Sequence, residues 1–210
     1  MEKYVGIAYL MESTKQVLLP TAYWGSIVYQ AYLLQNDCII EVNEHFVKQS
    51  IRSRCQILGA NKPLTLNIPR VRKSSSKTAV KDLCINYDHP WQKEHWRSLT
   101  SAYRSSPYFN YYKDELAPLY QEKINTLLEV NTSIQNKLFE LLGIDKTLKF
   151  TTFYQAEFEG LDLRKHHFTI DCPSYTQVFG TGFTPNLSIL ALLFNEGPNS
   201  ETYLLDISLK

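Results

Sequence analysis

The stretch QVLLPTAYWGSIVYQAYLLQNDCIIEV, residues 16–42, decides the fold. QVLLP (16–20) is an apolar run closed by Pro20, as a buried strand is when proline removes the next ladder donor. Tyr23, Ile27, Gln30 or Ala31, and Leu34 then recur at helical spacing, which predicts a helix from about Ser26 to Leu34. After Asp37, CIIEV (38–42) is a second β-branched run. Strand, helix and strand in so short a span make a βαβ unit, whose ligands sit beyond the carboxyl ends of the strands. Here those ends are Thr21–Gly25 and Asn43–Lys48.

Further elements extend from this start. CQIL, Gly59-Ala60-Asn61-Lys62 and PLTLNIP read as a hairpin, with Leu64, Leu66 and Ile68 alternating with Thr65 and Asn67. RVRKSSSKT (70–78) is a basic, serine-rich loop, and VKDLCINYD returns as a strand. On a helix from Trp91 to Tyr103, Trp91, His95, Leu99 and Tyr103 share one face; Pro107 ends the helical run by about Ser105. Residues 114–142 give two helical stretches broken near Val130–Asn131, with Gly143 closing the second. TLKFTTF (147–153) is strand-like, NLSILALLFNEGP gives a short apolar helix to Asn195, and TYLLDISL reads as a last strand. The expectation is a single α/β domain over 1–210, with a mixed sheet and several packed helices.

Composition excludes more than it assigns. The 210 residues carry a formal net charge of +1, so no global field holds nucleic acid or an anionic membrane. No run of eighteen apolar residues is present, so membrane insertion is not expected. The N-terminus MEKYVGIAYLMESTK lacks a signal-peptide pattern, and a cytoplasmic location is expected. The four cysteines, Cys38, Cys55, Cys84 and Cys172, form no CxxC pair, so neither a disulfide framework nor a zinc site is expected. Phosphate-loop, dinucleotide, GxSxG, HExxH and HxGH motifs are all absent. The cofactor and the oligomeric state are left open.

Three clusters carry possible chemistry. Lys48, Arg52 and Arg54 follow the second strand; two guanidiniums two residues apart share a face of an extended chain and can grip a phosphate or carboxylate. Their bland reading is a solvated strand edge. His95 and Tyr103 share one helix face, either as core residues or as an imidazole and a phenol exchanging a proton in a pocket. In Asp162-Leu163-Arg164-Lys165-His166-His167, Arg164 is either a further anion contact or the partner of Asp162. Adjacent histidines face opposite ways on a strand, and no third ligand is in range, so no metal is expected.

Three ordered blocks together resemble the WbqC-like family. They are LLPTAYWG through PLTLNIP, then WQKEHWRSLTSAYRSSPYF, and finally YTQVFGTGFTPNLSILALLFNEGP. The resemblance implies marked positions at Tyr23, Lys48, Arg52, Arg54, His95, Tyr103, Pro107, Tyr175, Gln177, Pro185, Ser188 and Asn195. Two residues depart from the family pattern: Ser53 stands where asparagine is common, and Ala191 where an aspartate is usual. The 155–170 region is also short for the family. The resemblance implies a role in bacterial surface-polysaccharide (O-antigen or capsule-like) biosynthesis. The expected enzyme is a transferase acting on an anionic activated sugar or an acyl or aminoacyl donor. His95 and Tyr103 would be catalytic; Tyr23, Lys48, Arg52, Arg54, Arg164, Tyr175, Gln177 and Ser188 would bind substrate. A non-catalytic scaffold module and a nucleotidyltransferase-like nucleotide binder are the alternatives.

Overall fold

A computed structural model describes residues 16–71, 77–168, 170–180 and 182–209. The N-terminal stretch 1–15 and residues 72–76 of the basic serine-rich loop, both read above, lie outside the described residues.

The βαβ start forms as the sequence predicts. β1 (Val17–Pro20) is buried throughout and pairs in parallel with β2 (Cys38–Glu41), from Val17 opposite Cys38 to Pro20 opposite Glu41. A short β5 (Leu161–Asp162) adds in parallel on the other side, giving the order β2-β1-β5. α1 (Ile27–Gln35) makes the crossover. Every residue from Ile27 to Leu33 is buried, so the helix is covered on all sides rather than along one stripe. Ile27 and Ala31 face a core shared with the later helices, while Val28, Tyr29 and Leu33 face a second core with Val17 and Leu19 of β1.

A buried helix must satisfy any polar side chain it carries. Gln30 of α1 and Gln135 of α4 (Leu127–Leu142) exchange two amide hydrogen bonds, at 2.8 and 2.9 Å. α4 begins at a Thr126–Glu129 capping box and ends at Gly143, whose φ of 69° suits a residue without Cβ. It runs unbroken through Val130–Asn131, against expectation. Asn131 stays helical because its amide is used in the interior, donating to Thr21 Oγ1 and the Arg52 carbonyl. The break falls instead between α4 and the preceding pair, α3 (Phe109–Leu116) and a 3₁₀ turn at Ala117–Tyr120.

The antiparallel hairpin, β3 (Arg54–Leu58) and β4 (Pro63–Asn67), forms a separate sheet. Parallel and antiparallel strands therefore occur in two sheets. α2 (Trp91–Tyr103) buries Trp91, His95, Leu99 and Tyr103, the face the spacing marks. α5 (Ile189–Glu196) is the short apolar helix. Three strand expectations change. Residues 147–153 contribute only a bridge from Phe150 to Ile40, and residues 80–88 a 3₁₀ turn with isolated bridges. The tail forms α6 (Ser200–Asp206), which buries Leu204, with Ile207 buried just beyond, and leaves Leu205 51% exposed. A spacing of three between buried positions is helical, not alternating.

Replacing Gln30 by alanine leaves Gln135 buried without its partner and should cost about 1–3 kcal/mol. Leucine at both positions should return most of that loss, because no unpaired amide then remains. Urea unfolding of the single and double variants reads this directly.

Candidate functional site

Beyond the carboxyl end of β1 the chain turns through Thr21–Gly25 and enters α1 at Ser26. α5 enters at Ser188 from the opposite direction, and the two helix starts are joined. Ile27 N donates to the Leu187 carbonyl (3.0 Å), Ile189 N to the Gly25 carbonyl (3.0 Å), and Ser188 Oγ to the Trp24 carbonyl (3.0 Å). Asn186 Oδ1 accepts from Val28 N at 3.0 Å, and Asn186 Nδ2 donates to the Phe168 carbonyl. Ser188 N donates to the Gln56 carbonyl at 2.8 Å, tying the joint to the hairpin. Burying these helix ends leaves no orphan first-turn donor at α1.

An inner cavity of about 260 Å³ opens over this joint. Trp24, Ser26, Asn186 and Ser188 line it from the joint, Gln49, Ser50 and Ile51 from the turn before β3, and His167 and Phe168 from the loop after β5. The polar face of the hairpin completes the wall: Arg54 and Gln56 of β3 with Thr65 of β4. The cavity shares Gln49 and Arg54 with an outer groove of about 630 Å³ that also holds Lys48, Asn67, Arg70, Asn86 and His89. It shares Gln56, His167 and Asn186 with a third hollow containing Tyr32, His166 and Asp171.

Four non-glycine residues among those described have positive φ: Trp24 (43°), Gln49 (58°), Phe168 (49°) and Asn186 (51°). All four line the inner cavity. Asparagine tolerates this region; tryptophan and phenylalanine rarely enter it, at roughly 1–2 kcal/mol each. The surroundings impose it. Trp24 is held by Ser188 at its carbonyl and by Tyr120 Oη at its indole N–H, 2.7 Å away. Phe168 N donates to His166 Nδ1 (2.8 Å), and its ring packs edge-on against Tyr29. Strain of this kind gathers where a backbone must present a surface rather than relax.

The predicted cations divide into two kinds. Arg52 is 2% exposed and bonded to Glu44, with Nε and Nη2 2.7 and 2.6 Å from Oε1. Residues 51–53 are a turn, so Arg52 does not share the extended face of Arg54. Arg164 chelates Asp162 through Nε and Nη2, and its Nη1 reaches the Gln155 carbonyl at 2.6 Å and lies 3.6 Å from buried Glu41. These two arginines pin the 41–52 and 155–164 segments together, since Arg52 Nη2 also donates to the Arg164 carbonyl. Arg54 is different. Its Nε donates to the Asn67 amide oxygen, its cross-strand neighbour, at 3.1 Å, and no carboxylate among the described residues pairs with it.

His95 and Tyr23 come together, but away from the groove. His95 Nδ1 and Tyr23 Oη are 2.8 Å apart in the core, and Trp91 packs edge-on against the imidazole. Burial pushes the His95 pKa down to about 4, against a smaller upward pull from the Asn67 backbone. Burial likewise holds the Tyr23 hydroxyl well above its ordinary value. Tyr103 accepts a hydrogen bond from Leu58 N at 3.3 Å and lies beside Gln177 and Ala191 in a hollow too tight for a ligand. Gln177 clamps Thr184 through both backbone groups (2.8 and 3.0 Å), and Tyr175 packs edge-on against Phe183 and Tyr203. Of the expected residues, Arg54 and Ser188 line the inner cavity and Lys48 the outer groove; Tyr23, Arg52, His95, Tyr103, Arg164, Tyr175 and Gln177 line neither.

Sequence reading missed Gln49, Gln56, Thr65, Arg70 and Asn186. Gln56 and Thr65 were accessible to it, since they occupy the polar positions of an alternating hairpin. Burial raises the Cys55 thiol far above its ordinary range, so this cavity residue is not a ready nucleophile. Among the described residues no group of three or more His, Cys, Asp or Glu is placed to hold a metal ion, and no helix is long and apolar enough to cross a membrane.

The chain is 26% identical over 204 residues to an uncharacterized protein of Mycobacterium tuberculosis, Rv1507c, covering 80% of this chain and 87% of the relative. No solved structure matches it. The sequence model of the WbqC-like protein family matches residues 29–164 and 151–203, so the chain belongs to the WbqC-like protein family.

Proposed function

We propose that the protein is a cytoplasmic transferase of bacterial surface-polysaccharide biosynthesis. In this reading it takes an anionic activated sugar, or an acyl or aminoacyl donor, into the inner cavity. The observation that carries the reading is the gathering of all four left-handed non-glycine residues of the described chain on the walls of one cavity whose fixed charge, Arg54, has no counter-ion among the described residues. Folding alone gives no return for that arrangement, whereas a ligand that neutralises Arg54 does. Among the described residues no aspartate or glutamate lines the cavity, which favours an anion there.

His95 has a supporting role in this reading. It shares a hydrogen bond with Tyr23 and so fixes the residue next to Trp24, at one remove from the ligand. The imidazole that reaches the inner cavity, and the candidate for moving a proton, is His167.

Thermal-shift titration against UDP- and dTDP-hexoses, acetyl-CoA and nucleoside triphosphates tests the proposal. A bound donor at a hundred times its Kd adds about 2.7 kcal/mol and should raise Tm by roughly 5–10 °C. Arg54→Ala should lose most of that rise. Equal responses from the wild type and Arg54→Ala to every compound would remove the basis of the reading.

A second expectation concerns pH. Folded His95 is neutral and titrates near 4, whereas the unfolded chain takes up its proton near 6.5. The unfolded state therefore binds more protons between these values, and stability should fall as pH drops from 6.5 to 4. The loss from this group is roughly 3 kcal/mol. The difference between wild type and His95→Gln in denaturant midpoint across that range measures it.

A further inference from the structure

We infer that the outer groove is a phosphate subsite, so that the ligand lies with its phosphate groups on Lys48, Arg54 and Arg70 and a neutral, hydroxyl-rich part in the inner cavity. This rests on the reading of the inner cavity as the donor site and adds its substrate class and orientation.

The fold has already cancelled some of its charges. Arg52 and Arg164 are each closed off by a carboxylate within 2.6 Å. Lys48, Arg54 and Arg70 line one groove, and none of them makes an ion pair among the described residues. The two guanidiniums are nevertheless steadied, by neutral neighbours. Asn67 holds Arg54 at Nε, which leaves its terminal nitrogens free. Phe46 carries Arg70 5.0 Å above its ring. A neutral partner fixes a cation in place without spending its charge, which suits bidentate capture of a phosphate oxygen pair. Among the described residues no aspartate or glutamate lines the groove.

The inner cavity offers different chemistry. The side chains of Gln49, Gln56 and Thr65 line it with no hydrogen-bond partner among the described residues, beside Trp24 and Phe168. Two carboxamides and a hydroxyl can both donate and accept, as neighbouring sugar hydroxyls require. Arg54 belongs to both spaces and so marks the junction where phosphate meets the neutral part.

Isothermal titration of the full chain with inorganic pyrophosphate, UDP-glucose and glucose separates the parts. Pyrophosphate should bind the wild type, weaken by about tenfold or more in Lys48→Gln/Arg70→Gln, and be unchanged in Gln56→Ala. UDP-glucose should weaken in both variants, and glucose alone should bind more weakly than either. Far-ultraviolet circular dichroism checks that each variant is folded; the affected side chains are not core residues, and Lys48→Glu serves as a second probe of the groove. Equal pyrophosphate affinity in wild type and Lys48→Gln/Arg70→Gln overturns the subsite. If donors still bind through Arg54 in that case, the function proposed above stands without it. If pyrophosphate binds through Lys48 and Arg70 while UDP-glucose and acetyl-CoA gain nothing from Arg54 or Gln56, the outer subsite stands and the donor reading of the cavity falls.

Discussion

The structure turns on one joint, where the starts of α1 and α5 cap each other. A helix start buried without partners leaves several N–H groups unpaired, at a cost that can exceed the value of the helix. Here each start uses the backbone that leads into the other: Ile27 bonds to Leu187, Ile189 to Gly25, and Ser188 to Trp24. Two polypeptide segments separated by most of the chain thereby become one floor. The constraint also explains the left-handed backbone of Trp24 and Asn186. Both residues lie in the short links that must reverse direction to reach the joint, and their relaxation would unmake its hydrogen bonds.

A second organising feature is the sorting of charge. Carboxylates are placed where arginines must be buried, as in the pairs Arg52–Glu44 and Arg164–Asp162, with Glu41 held at 0% exposure by Thr151, Asn43 N and Gln155 N. Such pairs add little net stability but punish any arrangement that separates them, so they specify how the loops meet. Where the polar face of the hairpin turns to the groove, the partners of the cations are an amide and an aromatic ring instead. A nearly neutral protein can in this way hold a locally cationic surface.

Much of the fold was legible from residues 16–42, because strand length, Pro20 and helical spacing speak through local geometry. The hairpin and the buried face of α2 were legible for the same reason. The tail was misread because an apolar run fits strand or helix until its neighbours decide, and α1 has the tail packed against it: Gln35 donates to the Leu204 and Ile207 carbonyls. In the site, Arg54 and Lys48 were accessible as cations on and before an alternating strand. Arg52 looked equivalent, but it lies in the turn before β3 and is paired with Glu44, which separates it from Arg54. His95 looked like a proton carrier by residue type, yet its neighbours are Tyr23 and Trp91, which make a buried neutral pair more favourable than a charge.

The sequence by itself determined the βαβ start, the polar face of the hairpin and the supply of cations, since each follows from periodicity and residue chemistry over a few turns. Tertiary structure alone decided which cations are cancelled, which histidine meets the inner cavity, and where backbone is forced left-handed. The reason is physical: pairing, desolvation and strain are set by groups far apart in the chain, such as Trp24 and Ser188, and no local pattern carries the distance between them.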